Sequence, residues 1–457
     1  MKLPITFKKR VTTAGLICLC IPKLFAQQGD VTALSLKECI QRAVEMNINV
    51  SQAELAREKS AHKTAETFAN LLPQVDVGGS FQDNTKLPVT MAPGEIFGQP
   101  GTIIPVSLGA KFVTTANVSA NMVLYNQTVL TALKLSKKGE YAATLGVEKA
   151  GEEISKEVAK LYFLIQTSVK QKHLIQDNIV RTEQMTHIVK SLVDNGIGRQ
   201  VDHDRIMVSL QNLQTQWDNT EALYQQQVNM MKYMLEMPLE MDILLTDSAS
   251  MPLLSASPTA NFDFSNHIDI QLLETKKDMA SLNQKMINHG YYPSLTAFGQ
   301  YGYQGLRMNF SDYFNDSPYN KWYATSYFGL RVTVPVFDGF QKRSKYRQAQ
   351  VDTRNATSLL DNTKERFSAN YKTALNNYFN NRTTVERQQN NITLAEKIYR
   401  ETSLKYREGM ATMSDLLQDE MGLNNAQANF LNALYKFKEA ELEIMSLNGE
   451  IKNLIKN

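Results

Sequence analysis

The chain has 457 residues, of which 43% are hydrophobic and 21% charged, and its formal net charge is +3. Five basic residues (Lys2, Lys8, Lys9, Arg10, Lys23) lie in the first 26 positions. The remainder carries 44 basic against 46 acidic residues, a net −2 that excludes a basic surface for nucleic acid. Past that segment the only cysteine is Cys39, which excludes an intramolecular disulfide framework and a Cys-based metal site.

In chain order, Lys8-Lys9-Arg10, an apolar run from Val11 to Ile21 and Leu24-Phe25-Ala26 predict a secretory signal peptide over 1–26, cleaved after Ala26. Cys18 and Cys20 follow Ile17 and Leu19 rather than a small residue, which argues against a lipid anchor. The run is too short to be a transmembrane helix, and no later segment holds about eighteen consecutive apolar residues. Any membrane crossing therefore falls to β-strands.

Leu34 to Leu72 predicts a first helix, with Ser35 as N-cap and Glu38 completing a capping box, ended by Pro73. Period-two alternation then sets Val75, Val77 and Phe81 against Asp76, Ser80 and Gln82. A connection rich in Pro and Gly follows over 84–112, and a return strand sets Val118, Ala120, Met122 and Leu124 against Asn117, Ser119 and Asn121. This predicts a hairpin over 74–125. No proline occurs between Pro105 and Pro238, which predicts a long helix over 126–194, about 100 Å in length, and a returning helix over 201–236. Ala143, Val147, Ala150, Ile154, Val158 and Leu161 form a coiled-coil seam. Residues 237–263, with Pro238, Pro252 and Pro258, predict a linker or equatorial segment.

The same layout returns over 264–457: a helix from about Phe264, a hairpin over 294–337, a long helix over 338–407 and a helix over 414–447. In the hairpin, Leu330, Val332, Val334 and Val336 oppose Arg331 and Thr333. Aromatic residues mark both ends of the strands: Tyr125, Tyr291, Tyr292 and Phe337 on the helix side, Tyr301, Tyr303, Trp322 and Tyr323 on the loop side. Two such girdles suit the two interfaces of a bilayer. A soluble β-sandwich is the alternative, but hairpins spliced between long helices leave no second sheet.

Sliding the chain on itself by 213 positions places Gly196 on Gly409, Asp202 on Asp415 and Tyr224 on Phe437. Offsets of 212 to 220 place Tyr125-Asn126 on Phe337-Asp338, Leu72-Pro73 on Tyr292-Pro293, and Asn47-Ile48 on His267-Ile268. One module is written twice. Each copy has a helix–turn–helix tip. Gly196 and Gly409 suit the left-handed residue that ends a helix, and Ser414 with Asp415 suits the N-cap and first turn of the last helix.

The junctions Leu72-Pro73-Gln74-Val75 and Tyr292-Pro293-Ser294-Leu295, the strand ends Leu124-Tyr125-Asn126 and Val336-Phe337-Asp338-Gly339, and the tip Tyr406-Arg407-Glu408-Gly409 with Asp415-Leu416-Leu417 carry a resemblance over nearly the whole chain. The chain resembles the TolC-like outer-membrane efflux proteins. The resemblance implies a mainly α fold with membrane β: a duplicated module giving four strands per protomer to a trimeric 12-stranded barrel, continued by a long coiled-coil α-helical barrel across the periplasm. It implies a homotrimer in the outer membrane of a Gram-negative bacterium, contacting outer-membrane lipid, a periplasmic adaptor (membrane fusion) protein and an inner-membrane transporter. The implied function is a passive exit duct of a tripartite efflux pump or a type I secretion system.

The resemblance also implies a periplasmic gate at the tips, with Asp202, Asp204, Asp415 and Asp419 as candidates and Arg199 and Arg407 as their basic counterparts. Asp415 falls on the family's first tip aspartate, whereas the second falls on Gln418, beside Asp419. Adaptor docking is carried to the turn residues Gly196, Gly198, Arg199, Gly409, Met410 and Thr412. An acid in a helix's first turn also simply answers the helix dipole. The six histidines are scattered, and no phosphate-cradling loop, nucleophile elbow, metal cluster or cofactor motif occurs, so no enzyme is predicted. An exported coiled-coil scaffold or adhesin without a pore is the alternative function.

Overall fold

A computed structural model describes residues 32–247, 253, 258, 267–315 and 320–456. The predicted signal peptide and most of the second half of the 237–263 segment lie outside the described residues. The first copy begins with β1 (Thr32–Leu34), α1 (Leu36–Met46) and α2 (Ile48–Ala69). Ser35 and Glu38 form the capping box of α1. The single helix expected over 34–72 is broken at Asn47, whose ψ of 135° is extended. Its side-chain oxygen accepts from Asn49 N at 2.9 Å, and its amide donates to Met234 O at 3.2 Å. A buried side chain with both groups satisfied holds the kink. At the matching position of the second copy, His267 caps the next helix through Nδ1, which accepts from Asp269 N at 3.2 Å.

The hairpin strands β2 (Gln74–Asp83) and β5 (Phe112–Tyr125) flank a connection that contains its own small hairpin, β3 (Val89–Pro93) and β4 (Ile103–Ser107). The unbroken helix α3 (Gln127–Asp194) then runs to the first tip, and α4 (Gln200–Met234) returns. Within the linker, β6 (Ile243–Leu245) pairs in parallel with β1. Asp247 accepts from Leu36 N at 2.6 Å and from the Tyr162 hydroxyl at 3.1 Å, which straps this segment to the waist of the molecule.

The second copy runs α5 (Ile268–His289), β7 (Ser294–Arg307), β8 (Trp322–Thr333), α6 (Gln341–Arg407), α7 (Met413–Leu447) and the short α8 (Asn453–Lys456). The expected hairpin over 294–337 is shorter than the valine alternation suggested. Pairing of β8 ends at Thr333 opposite Ser294, and Val334 and Val336 lie beyond the ladder. Pro335 has no N–H to give it. Likewise α5 starts at Ile268 rather than about Phe264, which is outside the described residues.

The four strands form one antiparallel sheet in the order β2-β5-β7-β8. Its register aligns Val75, Ala120, Gly299 and Phe328 along one face and Asp76, Ser119, Gln300 and Tyr327 along the other. Below the sheet, α2, α3, α5 and α6 pack side by side, and farther down the order is α4, α3, α7, α6. Only α3 and α6 run through both levels, with shorter helices stacked beside them. The main core is the waist, where Cys39, Ile40, Val158, Tyr162, Met231, Leu235 and Leu442 are buried together. Burial pushes the Cys39 thiol up to about 12, as expected of a small core residue rather than a reactive one.

Candidate gate and docking tips

Both tips are closed by the same backbone device. Gly196 has φ 74° and Gly409 φ 73°, the left-handed values that end α3 and α6. The N–H of Ile197 reaches Leu192 O at 2.9 Å, and that of Met410 reaches Lys405 O at 2.7 Å. Gly198 is required for a different reason: a Cβ there would stand 2.9 Å from Val193 N.

The helices leaving the tips are started differently. In the second tip Thr412, not Ser414, is the N-cap. Its hydroxyl accepts from Asp415 N at 3.2 Å, while Asp415 accepts from Thr412 N at 3.0 Å and from the Thr412 hydroxyl at 2.7 Å. Serving as N3 of this box suits an aspartate as it would a glutamate. These bonds hold the Asp415 carboxyl below its ordinary range, the Thr412 hydroxyl contributing most. In the first tip the N-cap position is Arg199, which makes no side-chain cap. Instead its guanidinium donates to Asp202, Nε to Oδ2 at 3.0 Å and Nη2 to Oδ1 at 3.2 Å. Arg205 Nη1 lies 3.8 Å from the same carboxylate, whose side chain is only 11% exposed.

The two tips are packed together. Met185, Val189, Ile206, Met413 and Leu416 form a buried cluster, with Tyr399 and Tyr406 against it. Arg205 also donates to Ser414 Oγ at 3.2 Å. Burial raises the Tyr406 hydroxyl, and Asp202 adds to the shift, so this ring of the second tip faces the acid of the first. Asp204 is exposed and accepts from Gln200 Nε2 at 2.8 Å. Asp419 is half-buried on α7, and Arg407 is exposed at the end of α6. The structure therefore gathers Asp202, Arg199, Arg205, Ser414 and Tyr406, and leaves Asp204 outside that group. Arg205 was missed in the sequence, although it sits one helical turn after Asp202. At the extreme end Ile197 and Met410 are exposed apolar side chains beside the turn glycines.

At the other end, the aromatic girdle includes residues that the sequence alone did not single out. Phe81, Phe112, Phe310 and Tyr313 cluster at the loop-side end of the sheet with centroids 5.8 to 6.1 Å apart. Tyr323 pairs with Gln304 on the polar face, so it does not belong to the apolar girdle.

Residues 265–450 match the outer membrane efflux protein family. The solved MtrE outer membrane channel of Neisseria gonorrhoeae superposes with a TM-score of 0.73 at 17% identity, covering 91% of this chain and 88% of that one. The outer membrane protein VceC of Vibrio cholerae gives 0.72 at 14% identity, covering 91% and 96%. The CmeC outer membrane channel of Campylobacter jejuni gives 0.72 at 15%, covering 91% and 86%. This is a TolC-like channel fold. No curated protein matches the chain in sequence. The TolC-like fold extends over both copies of the repeat, while the family match falls on the second.

Proposed function

We propose that the chain is one subunit of a trimeric exit duct in the outer membrane, serving a tripartite efflux pump or a type I secretion system. The observation that supports this best is the unfinished sheet. Strands β2 and β8 each have a free edge, and Val77, Phe328, Leu330 and Val332 expose one apolar face. Lipid tolerates neither an open edge nor a barrel of four strands. The helical levels end on the same two sides, with α2 and α4 under β2 and α6 under β8. Neighbouring copies that pair β8 with β2 therefore also join α6 to α2 and α4. Four strands from each of three copies give the 12-stranded barrel implied by the family.

The polar face of the sheet, with Asp76, Asn117, Gln300 and Arg331, then lines a water-filled lumen. Arg331 lies over the Phe298 ring at 4.9 Å on that face. Apart from Asp83 and Arg307 at the loop-side end, the charged residues sit on one face and apolar side chains on the other, the pattern of a barrel wall. The convergent tips form the periplasmic end, where Asp202 and Asp415 serve as gate acids and the exposed turns from Gly196 and Gly409 take an adaptor. The duct is passive, with energy supplied by the inner-membrane transporter. Outer-membrane fractionation and electrophoresis of unheated and heated samples test the assembly. A heat-modifiable oligomer about three times the monomer mass is expected, and a soluble monomer would exclude it.

A further inference from the structure

About 10 Å above the second tip, seven residues into α7, a carboxyl group is shut inside the seam between the two copies. Glu420 is 6% exposed. Its Oε1 lies 2.6 Å from Thr182 Oγ1 of α3, and its Oε2 accepts from Ser209 Oγ of α4 at 3.3 Å. Among the described residues no basic side chain forms an ion pair with it. The charged group acting on it from α3 is Arg181, whose guanidinium donates to Asn178 and lies over the Tyr399 ring of α6 at 5.8 Å. Tyr399 is the titratable group on the α6 side. From α4 the nearest charged residue along the chain, Arg205, is turned to Asp202 and Ser414. Asn178 completes the layer by donating to Gln427 Oε1 at 3.0 Å and to Asn424.

The hydrogen count, with the burial, favours the neutral carboxyl. The Thr182 hydroxyl also lies 2.8 Å from the Asn178 carbonyl, the usual back-bond of a helical threonine. It has one hydrogen, for which the Asn178 carbonyl and Glu420 Oε1 compete. While the carbonyl holds it, a hydrogen on Glu420 Oε1 fills the 2.6 Å contact, and Oε2 remains an acceptor for Ser209. A neutral carboxyl satisfies every partner, whereas an ionised one must draw the Thr182 hydrogen off the carbonyl and is a buried charge held by hydroxyl donors alone.

We propose that Glu420 is a proton-operated latch between the two coiled coils, tying α7 to α3 and α4 when neutral and forcing the seam apart when ionised. Burial raises its pKa, the Thr182 and Ser209 hydroxyls and Arg181 opposing. Because the raised value belongs to the packed state, the latch is at full strength below the ordinary carboxylate range and weakens as pH climbs through the raised value. Any motion that parts the tips must pull Glu420 from Thr182, so proton binding and tip opening are linked. The latch acts within one chain and stands whether or not the chain conducts.

Hydrogen exchange of the full chain in detergent reads the seam directly. Between about pH 5 and about pH 9 the protection factors of residues 174–189 and 413–427 should fall by up to about tenfold per pH unit as pH climbs to the break at the raised value, and level off above it. In Glu420→Gln they should stay at the acid wild-type level throughout. Arg181→Gln removes a cation that favours the ionised form, so its break should move to higher pH. Protection that does not change with pH in the wild type, or that falls equally in Glu420→Gln, would overturn the latch. If Glu420→Gln does not fold, an unmoved break in Arg181→Gln overturns it instead.

Discussion

The Arg205 guanidinium of the first tip donates to Ser414 Oγ of the second at 3.2 Å, while its other neighbour is the nearly buried Asp202. One side chain thus couples the acid of one copy to the first turn of α7 in the other. Asp202→Ala should free both Arg199 and Arg205 and cost about 1.5 to 3 kcal/mol, the value of hydrogen bonds to a charged group. Asp204→Ala, on an exposed acid, should stay within about 0.5 kcal/mol. Limited proteolysis at the 195–199 turn separates them: faster cleavage in the first variant and an unchanged rate in the second.

The second tip responds differently, because its acid serves a cap. Thr412→Ala should fray the start of α7 and cost about 1 kcal/mol. The bonds from Thr412 lower the Asp415 pKa, so their stabilisation is present at neutral pH and lost as pH falls through that lowered value. If Asp415 also lines a constriction, Asp415→Ala with Asp202→Ala should raise conductance and weaken block by a multivalent cation. Unchanged conductance and block would leave these acids as local helix partners only.

In the proposed barrel the sheet register fixes which residues meet lipid. Leu330→Arg and Phe328→Arg place a charge on the exposed apolar face and should cost about 2 to 4 kcal/mol near the midplane. Thr325→Arg faces the polar side that already holds Arg331 and should assemble normally. Val334, beyond the end of β8, should tolerate arginine better than Leu330. Membrane yields of the four variants check the register.

Glu152 on α3 has an Oε1 with no hydrogen-bond partner among the described residues, and burial pushes its pKa up to about 7. A raised carboxyl pKa contributes stability that is complete below the ordinary value and is lost as pH rises through about 7. Wild-type melting temperature should therefore decline from about pH 5 to about pH 7 and level off above it, and Glu152→Gln should flatten the decline. Thermal melts at several pH values test this.

The long helices, the paired hairpins and the duplication were legible because each has a period or a proline stop: Pro73, the alternation from Val75, and the offset joining Gly196 to Gly409. The break at Asn47 was not, since what holds it is a bond to Met234 O, 187 residues away. β1 and β6, three residues each, are too short to show alternation. At the tips the repeat correctly equated Asp202 with Asp415 in position but not in use. The same offset places Arg199 on Thr412, and that exchange turns a capping box into an ion pair. Nothing in the sequence marked Glu420, whose counterpart in the first copy is Met207, because its character comes from hydroxyls on two other helices.

The most direct test of the central claim is single-channel conductance of the purified chain reconstituted in a planar bilayer. The account predicts discrete openings from an oligomer, with the Leu330→Arg protein giving few or none because its barrel does not insert. A well-folded helical protein that remains monomeric and gives no conductance over a wide range of pH would contradict it.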